Sequence, residues 1–202
     1  MTLILSRRSI VVISSIVLMM AAVLPSSAQR RDYLTDQEIE IVREAQDIDE
    51  RIAALAKMID RRFLVLKINV NGWNKAGEQS ELWGELPTGS RTELFNDVKR
   101  ILQKAVDDID NLAANPNSAP IREKGDRRAK KDHERFPRAV RELAAAASRY
   151  RGPLQAEIER SNDDQEVGLI AASIELCDQI LEAVGKLPPE QTKEKKEKKG
   201  KS

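Results

Sequence analysis

The stretch TDQEIEIVREAQDIDERIAALAKMIDRRFLVLKINV, residues 35–70, decides the fold class. Its apolar side chains fall at Ile41, Ala45, Ile48, Ile52, Leu55, Ile59, Phe63, Leu66 and Val70, in steps of three and four with one extra four. Steps of that size keep side chains on one face of an α-helix. The stretch therefore predicts one amphipathic helix of about 35 residues, roughly 50 Å long. Its start is marked by chemistry as well as by period. Thr35 and Glu38 have the spacing of a capping box, with Leu34 and Ile39 at the flanking staple positions. Asp36, Glu38 and Glu40 suit the positive end of the helix dipole. Asn71-Gly72 is the expected stop.

Downstream the same period returns. Ser90 and Glu93 form a second capping box, followed by Leu94, Val98, Ile101, Ala105, Ile109 and Leu112, with a stop at Asn115-Pro116-Asn117. A third stripe runs Phe136, Val140, Leu143, Ala147, Tyr150. Pro137 disfavours helical geometry at Phe136, so a kink or restart is expected there. Gly152-Pro153 reads as a turn. The fourth helix opens with Leu154 and Ile158, crosses a polar stretch from Ser161 to Asp164, and continues through Val167, Ile170, Ile174, Cys177, Leu181 and Val184. Short connections at 115–119 and 151–153 favour antiparallel neighbours. No segment alternates with the period of a strand. The composition agrees, with 41% hydrophobic and 33% charged but only 3% aromatic residues, because strands draw on aromatic and β-branched side chains. The expected fold is all-α: an antiparallel up-down four-helix bundle with long first and fourth helices.

The flanks read differently. Arg7 and Arg8 precede an apolar run from Ile10 to Leu24, then Pro25, then Ser26 and Ala28 at the −3 and −1 positions before Gln29. This is the layout of a secretory signal peptide cleaved between Ala28 and Gln29. The run falls short of the ~20 residues that span a bilayer. No transmembrane span is expected after cleavage, and the protein is placed in the periplasm or outside the cell. The alternative is an uncleaved anchor in the inner membrane. Residues 186–202 hold seven Lys and three Glu and almost no apolar side chain, so the tail is expected to be disordered. The organisation is then a signal peptide over 1–28, a helical domain over 29–187 and a Lys/Glu-rich tail over 188–202.

The search for catalytic chemistry comes out empty. No nucleophile elbow, metalloprotease motif, phosphate loop or haem motif is present. His133 is the sole His, in a charged run that suits solvent, and one His cannot supply the E-x-x-H pairs of a carboxylate-bridged metal bundle. Cys177, the sole Cys, lies on an apolar stripe and reads as a small core hydrophobe. Glu44, Asp47, Asp49 and Glu50 read as a solvated helix face. No cofactor and no metal are expected, and the chain reads as a non-enzyme. The net charge of +1 gives no argument for nucleic acid. It conceals a separation, however. Residues 32–60 carry nine acidic against three basic side chains, and residues 122–141 carry nine basic against four acidic. Pairing between those regions is the simplest use of the charges.

The expected function is non-catalytic binding of a protein or an anionic envelope polymer. A self-associating structural envelope protein is the first alternative, and a hydrolase with an unrecognised carboxylate site the second. The oligomeric state is not legible. The candidate surface is the long connection 71–89, which holds both tryptophans, Trp73 and Trp83, among Gly, Asn, Glu and Lys. The competing expectation is that both rings fold down and close one end of the bundle.

Overall fold

A computed structural model describes residues 31–72, 81–116 and 132–187. The signal segment, Trp73 and the Lys-rich tail lie outside the described residues. From Tyr33 onward the described residues form one unit. Among the described residues there are five α-helices and no strand: α1 Asp36–Glu44, α2 Ile48–Val65, α3 Arg91–Ala114, α4 Asp132–Arg160 and α5 Asp164–Val184. A single 3₁₀ turn covers Glu81–Trp83.

The expected first helix is two helices. The Thr35/Glu38 capping box forms and starts α1, but the chain leaves helical geometry at Ala45 and restarts after Asp47. Tertiary pairing overrides the continuous apolar stripe. The break lets Asp47 and Asp49 face inward to Arg135 of α4, at 3.0 and 2.7 Å. The Ala45 carbonyl freed by the break accepts a hydrogen bond from Arg51 Nε at 2.9 Å. The solvated-face expectation is thus corrected for Asp47 and Asp49, which are buried, while Glu44 and Glu50 are exposed.

α2 ends earlier than the apolar stripe, at Val65. Ile68 N donates to Phe63 O and Lys67 N to Leu64 O, the two bonds of a Schellman motif. Its left-handed position is Lys67, at φ 59°, where glycine is the usual occupant.

α4 is also longer than expected. Gly152-Pro153 does not turn the chain; both residues lie inside a 29-residue helix, as does Pro137. Pro153 removes one backbone donor, but continuing the helix buries Tyr150, Leu154 and Glu157 on one face. The turn comes at Ser161–Asp163, where Asp163 Oδ1 accepts from Gln165 N and Glu166 N and caps α5. The longest helices are therefore α4 and α3, at 29 and 24 residues, not the first and fourth.

The long helices α2–α5 pack around one shared core, and ion pairs between them fix their directions. Asp49–Arg135 and Asp60–Arg149 align α2 with α4 in parallel. Arg62–Asp97 joins the end of α2 to the start of α3. Arg91, opening α3, reaches Glu157 near the end of α4 and Glu166 at the start of α5. Directions alternate along the chain, but spatial neighbours run α2, α3, α5, α4 around the core, and α3 and α4 lie across a diagonal with few contacts. The expectation that α3 and α4 are neighbours is not met; most of the 115–119 link lies outside the described residues. The core is aliphatic, built on Ile52, Leu55, Ile59, Phe63, Phe95, Val98, Ile101, Leu102, Leu143, Leu154 and Ile170. Tyr150 enters it with its ring 5.2 Å from that of Phe63, its hydroxyl donating to Ala56 O at 2.9 Å.

Candidate functional site

The segment between α2 and α3 carries the features that a core does not explain. Two pieces of it are described, residues 66–72 and 81–90.

The first piece turns back over α2. Lys67 and Asn71 are the only non-glycine residues with positive φ among the described residues, at 59° and 54°. Asn71 N is held by Asn69 Oδ1 at 3.0 Å. The turn encloses a cleft of about 230 Å³ lined by Asp60, Leu64 and residues 67–72. At its base Asp60 is paired with Arg149 of α4 at 3.2 Å, and Arg149 also donates to Val70 O at 3.1 Å. A Cβ on Gly72 would collide with both the Asp60 carboxylate and the Arg149 guanidinium, so only glycine fits there without a shift. Burial raises the Asp60 carboxyl above its usual range, against the lowering effect of Tyr150 and Arg149.

The second piece is held from beneath by charges in the core. Glu38 of α1, Arg61 and Arg62 of α2 and Asp97 of α3 are all essentially inaccessible to solvent. Arg62 grips the Glu38 carboxylate with both terminal nitrogens, one bond measuring 2.7 Å and the other to Glu38 Oε1. It also donates to Tyr33 O at 2.6 Å and Met58 O at 3.0 Å. Arg61 Nε lies 3.2 Å from Glu38, and its Nη2 donates to Glu85 O in the loop. Burial pushes the Arg61 guanidinium down, with Glu38 opposing. Two cations face two anions, so the network is neutral as a whole. Glu38 thereby has two tasks, since its other bond, from Thr35 N at 3.0 Å, caps α1.

Trp83 is 7% exposed. Its ring lies beneath two cations, with Arg61 5.6 Å and Lys57 5.9 Å from the centroid. Pro87 is buried as well. Gly84, at φ +59°, lets the loop close on α1, where a Cβ would come within 2.8 Å of the Gln37 side chain. Between these anchors two large apolar side chains point outward: Leu82 is 61% and Leu86 41% exposed. No other large hydrophobic is exposed among the described residues.

Of the two tryptophans singled out by sequence, Trp73 lies outside the described residues, and Trp83 is an anchor rather than a surface. The cleavage pair Ala28 and Gln29 also lies outside them. His133 falls in the first turn of α4. Cys177 is buried, and its thiol is pushed up to about 12 by burial and by Asp178. No group of three metal-ligating side chains occurs among the described residues. None of the described helices is long and apolar enough to cross a membrane. Sequence reasoning missed Leu82 and Leu86. Their one legible trait was a place beside Trp83 and Pro87, since alternate residues of a docked loop face opposite ways.

No protein-family model, characterised protein or solved structure matches this chain.

Proposed function

We propose that this chain is an exported, non-catalytic binding protein, in which α2–α5 form a four-helix scaffold and the loop Glu81–Gly89 contacts a protein partner. One observation carries the reading: Trp83 and Pro87 fix the loop from below while Leu82 and Leu86 stay exposed. Isolated exposed leucines are ordinary. Two within five residues, on a loop tied down by a buried ion network, form a preorganised contact element, and preorganisation lowers the entropy cost of binding. A protein is favoured over an envelope polymer because aliphatic side chains bury well in apolar pockets and lack the flat face that suits sugar rings. The export half of the reading rests on the n-region, the apolar run and the Ser26/Ala28 pattern.

Two measurements test it. N-terminal sequencing from the native host is expected to begin at Gln29; an intact Met1 in the membrane fraction contradicts export. The Leu82→Ser/Leu86→Ser double variant is expected to melt within about 2 °C of wild type, because exposed positions contribute little to stability. It should lose at least about tenfold in affinity for the partner recovered from envelope extract, through lost apolar burial. Unchanged capture by the double variant refutes the contact surface. Concentration-dependent sedimentation that disappears in the double variant would identify the partner as a second copy.

A further inference from the structure

The rim of the two leucines has a sign. Residues 81–90, Glu-Leu-Trp-Gly-Glu-Leu-Pro-Thr-Gly-Ser, contain two carboxylates and no Lys, Arg or His. Glu81 and Glu85 are both exposed and each directly precedes one of the leucines. α1, against which the loop packs, adds exposed Asp36, Glu40 and Glu44, with only Arg43 opposing and that side chain engaged with Glu40 at 2.7 Å. Among the described residues, Arg61 is buried on Glu38 and Glu85 O, and Arg91 at the end of the loop joins Glu157 and Glu166; Lys57, over Trp83, is the one exposed lysine beside the loop and is outnumbered by these carboxylates. Leu86 follows Leu82 by four residue steps, so at most about 14 Å lies between them.

Resting on the contact surface described above, we infer that this loop docks a protein whose apolar groove is flanked by lysine or arginine side chains. The two leucines enter the groove and Glu81 and Glu85 meet its basic edges. The leucines supply affinity by leaving water. The carboxylates supply orientation and a faster encounter, both weakened by salt. A groove with acidic edges would face like charges on both sides and is rejected. A standard interface buries about 800 Å² on each side, more than two leucines offer, so α1's exposed acidic face is the natural extension of the contact.

The test uses the full mature chain and two synthetic amphipathic helices. Both have leucines at i, i+3, i+4 and i+7; one is flanked by lysines and the other by glutamates. Wild type is expected to bind the lysine peptide at least about tenfold more tightly, and raising salt from about 0.05 to 0.3 M should cut that affinity several-fold. Glu81→Lys/Glu85→Lys should reverse the preference, and Leu82→Ser/Leu86→Ser should abolish binding of both peptides. Chemical shifts in wild type, which need no variant to fold, should move at residues 81–89 and on α1. A leucine-dependent contact with no effect of charge reversal overturns the partner chemistry and leaves the contact surface standing. Binding that ignores the leucines and follows charge alone overturns both. Failure of both peptides to bind wild type, or shifts confined elsewhere, overturns the inference.

Discussion

Replacing Glu38 by Gln removes one charge from the interior while keeping its shape. In wild type the carboxylate holds Arg62 through two bonds, lies 3.2 Å from Arg61 and accepts the Thr35 backbone N–H at 3.0 Å. The glutamine can keep the Thr35 bond and one guanidinium contact. It cannot neutralise two buried arginines as the carboxylate does, although Arg62 keeps Asp97 at 3.7 Å. Breaking a buried pair by removing one partner costs about 3–5 kcal/mol, because the remaining charge is stranded away from water. Retention of the cap should put the cost near the lower end, about 3–4 kcal/mol, which for a domain of this size lowers the melting temperature by roughly 6–16 °C. Urea unfolding followed by circular dichroism at 222 nm measures it, with the slope checked for constancy. Adding Arg62→Met to Glu38→Gln removes the stranded charge, so the double variant should be more stable than the sum of the two single losses by more than about 1 kcal/mol. A Glu38→Gln loss under about 1 kcal/mol, or strict additivity, would show that water reaches the network and that it does not hold α1 in place.

Three other outcomes are expected. Lys67→Gly should stabilise the protein by about 0.5–1 kcal/mol, since the left-handed Schellman position costs an L side chain about 1–2 kcal/mol and glycine's extra unfolded-state entropy takes back part; a loss of stability would show that the Lys67 side chain makes a compensating contact. The raised Asp60 pKa means that the folded state holds this proton more tightly than the unfolded chain, so its contribution is present below the unfolded value near 3.8 and is lost as pH rises through the folded value. Wild type should thus lose stability relative to Asp60→Asn as pH climbs from about 3 to 6, and a gain over that window would mean that Arg149 outweighs burial. Cys177, with its thiol pushed up to about 12 and its side chain buried, should resist iodoacetamide at pH 8 in the native protein and react on unfolding; rapid native alkylation detected by mass spectrometry would place it at an opening rather than in the core.

What was legible in the sequence was local. Thr35 with Glu38, and Ser90 with Glu93, mark helix starts because a capping box is closed by residues three apart and needs nothing from the rest of the chain. The helical class followed from period and composition for the same reason. What was not legible depended on distant partners. Asp49 looks like one more solvated acid until Arg135, 86 residues away, is beside it. Nothing near Arg61 or Arg62 announces burial, since their anions come from α1 and α3. Pro153 reads as a breaker on local grounds, but the loss of one hydrogen bond is outweighed by continued burial of Leu154 and Glu157. In α5 the expected Ile170 and Cys177 are buried, but Ser173, Leu176 and Ile180 share the seam in place of Ile174 and Leu181, because a small polar residue lies there and an apolar pattern does not register it. Ser173 is accommodated by donating to Leu169 O at 2.8 Å. The loop was singled out for its tryptophans, but which of its side chains faces water was decided by docking on α1 and α2.

The neighbour order α2, α3, α5, α4 makes this molecule a pair of hairpins laid side by side. One hairpin is α2 with α3, the other α4 with α5. Their mating surface has its own charge code: Asp47, Asp49 and Asp60 on the first meet Arg135, Arg138 and Arg149 on the second, and Arg91 on the first meets Glu157 and Glu166. A charge code of this kind is what a pair of separate chains would need to recognise each other, so the two hairpins, expressed as separate chains, are expected to co-purify as a one-to-one complex whose affinity falls with salt.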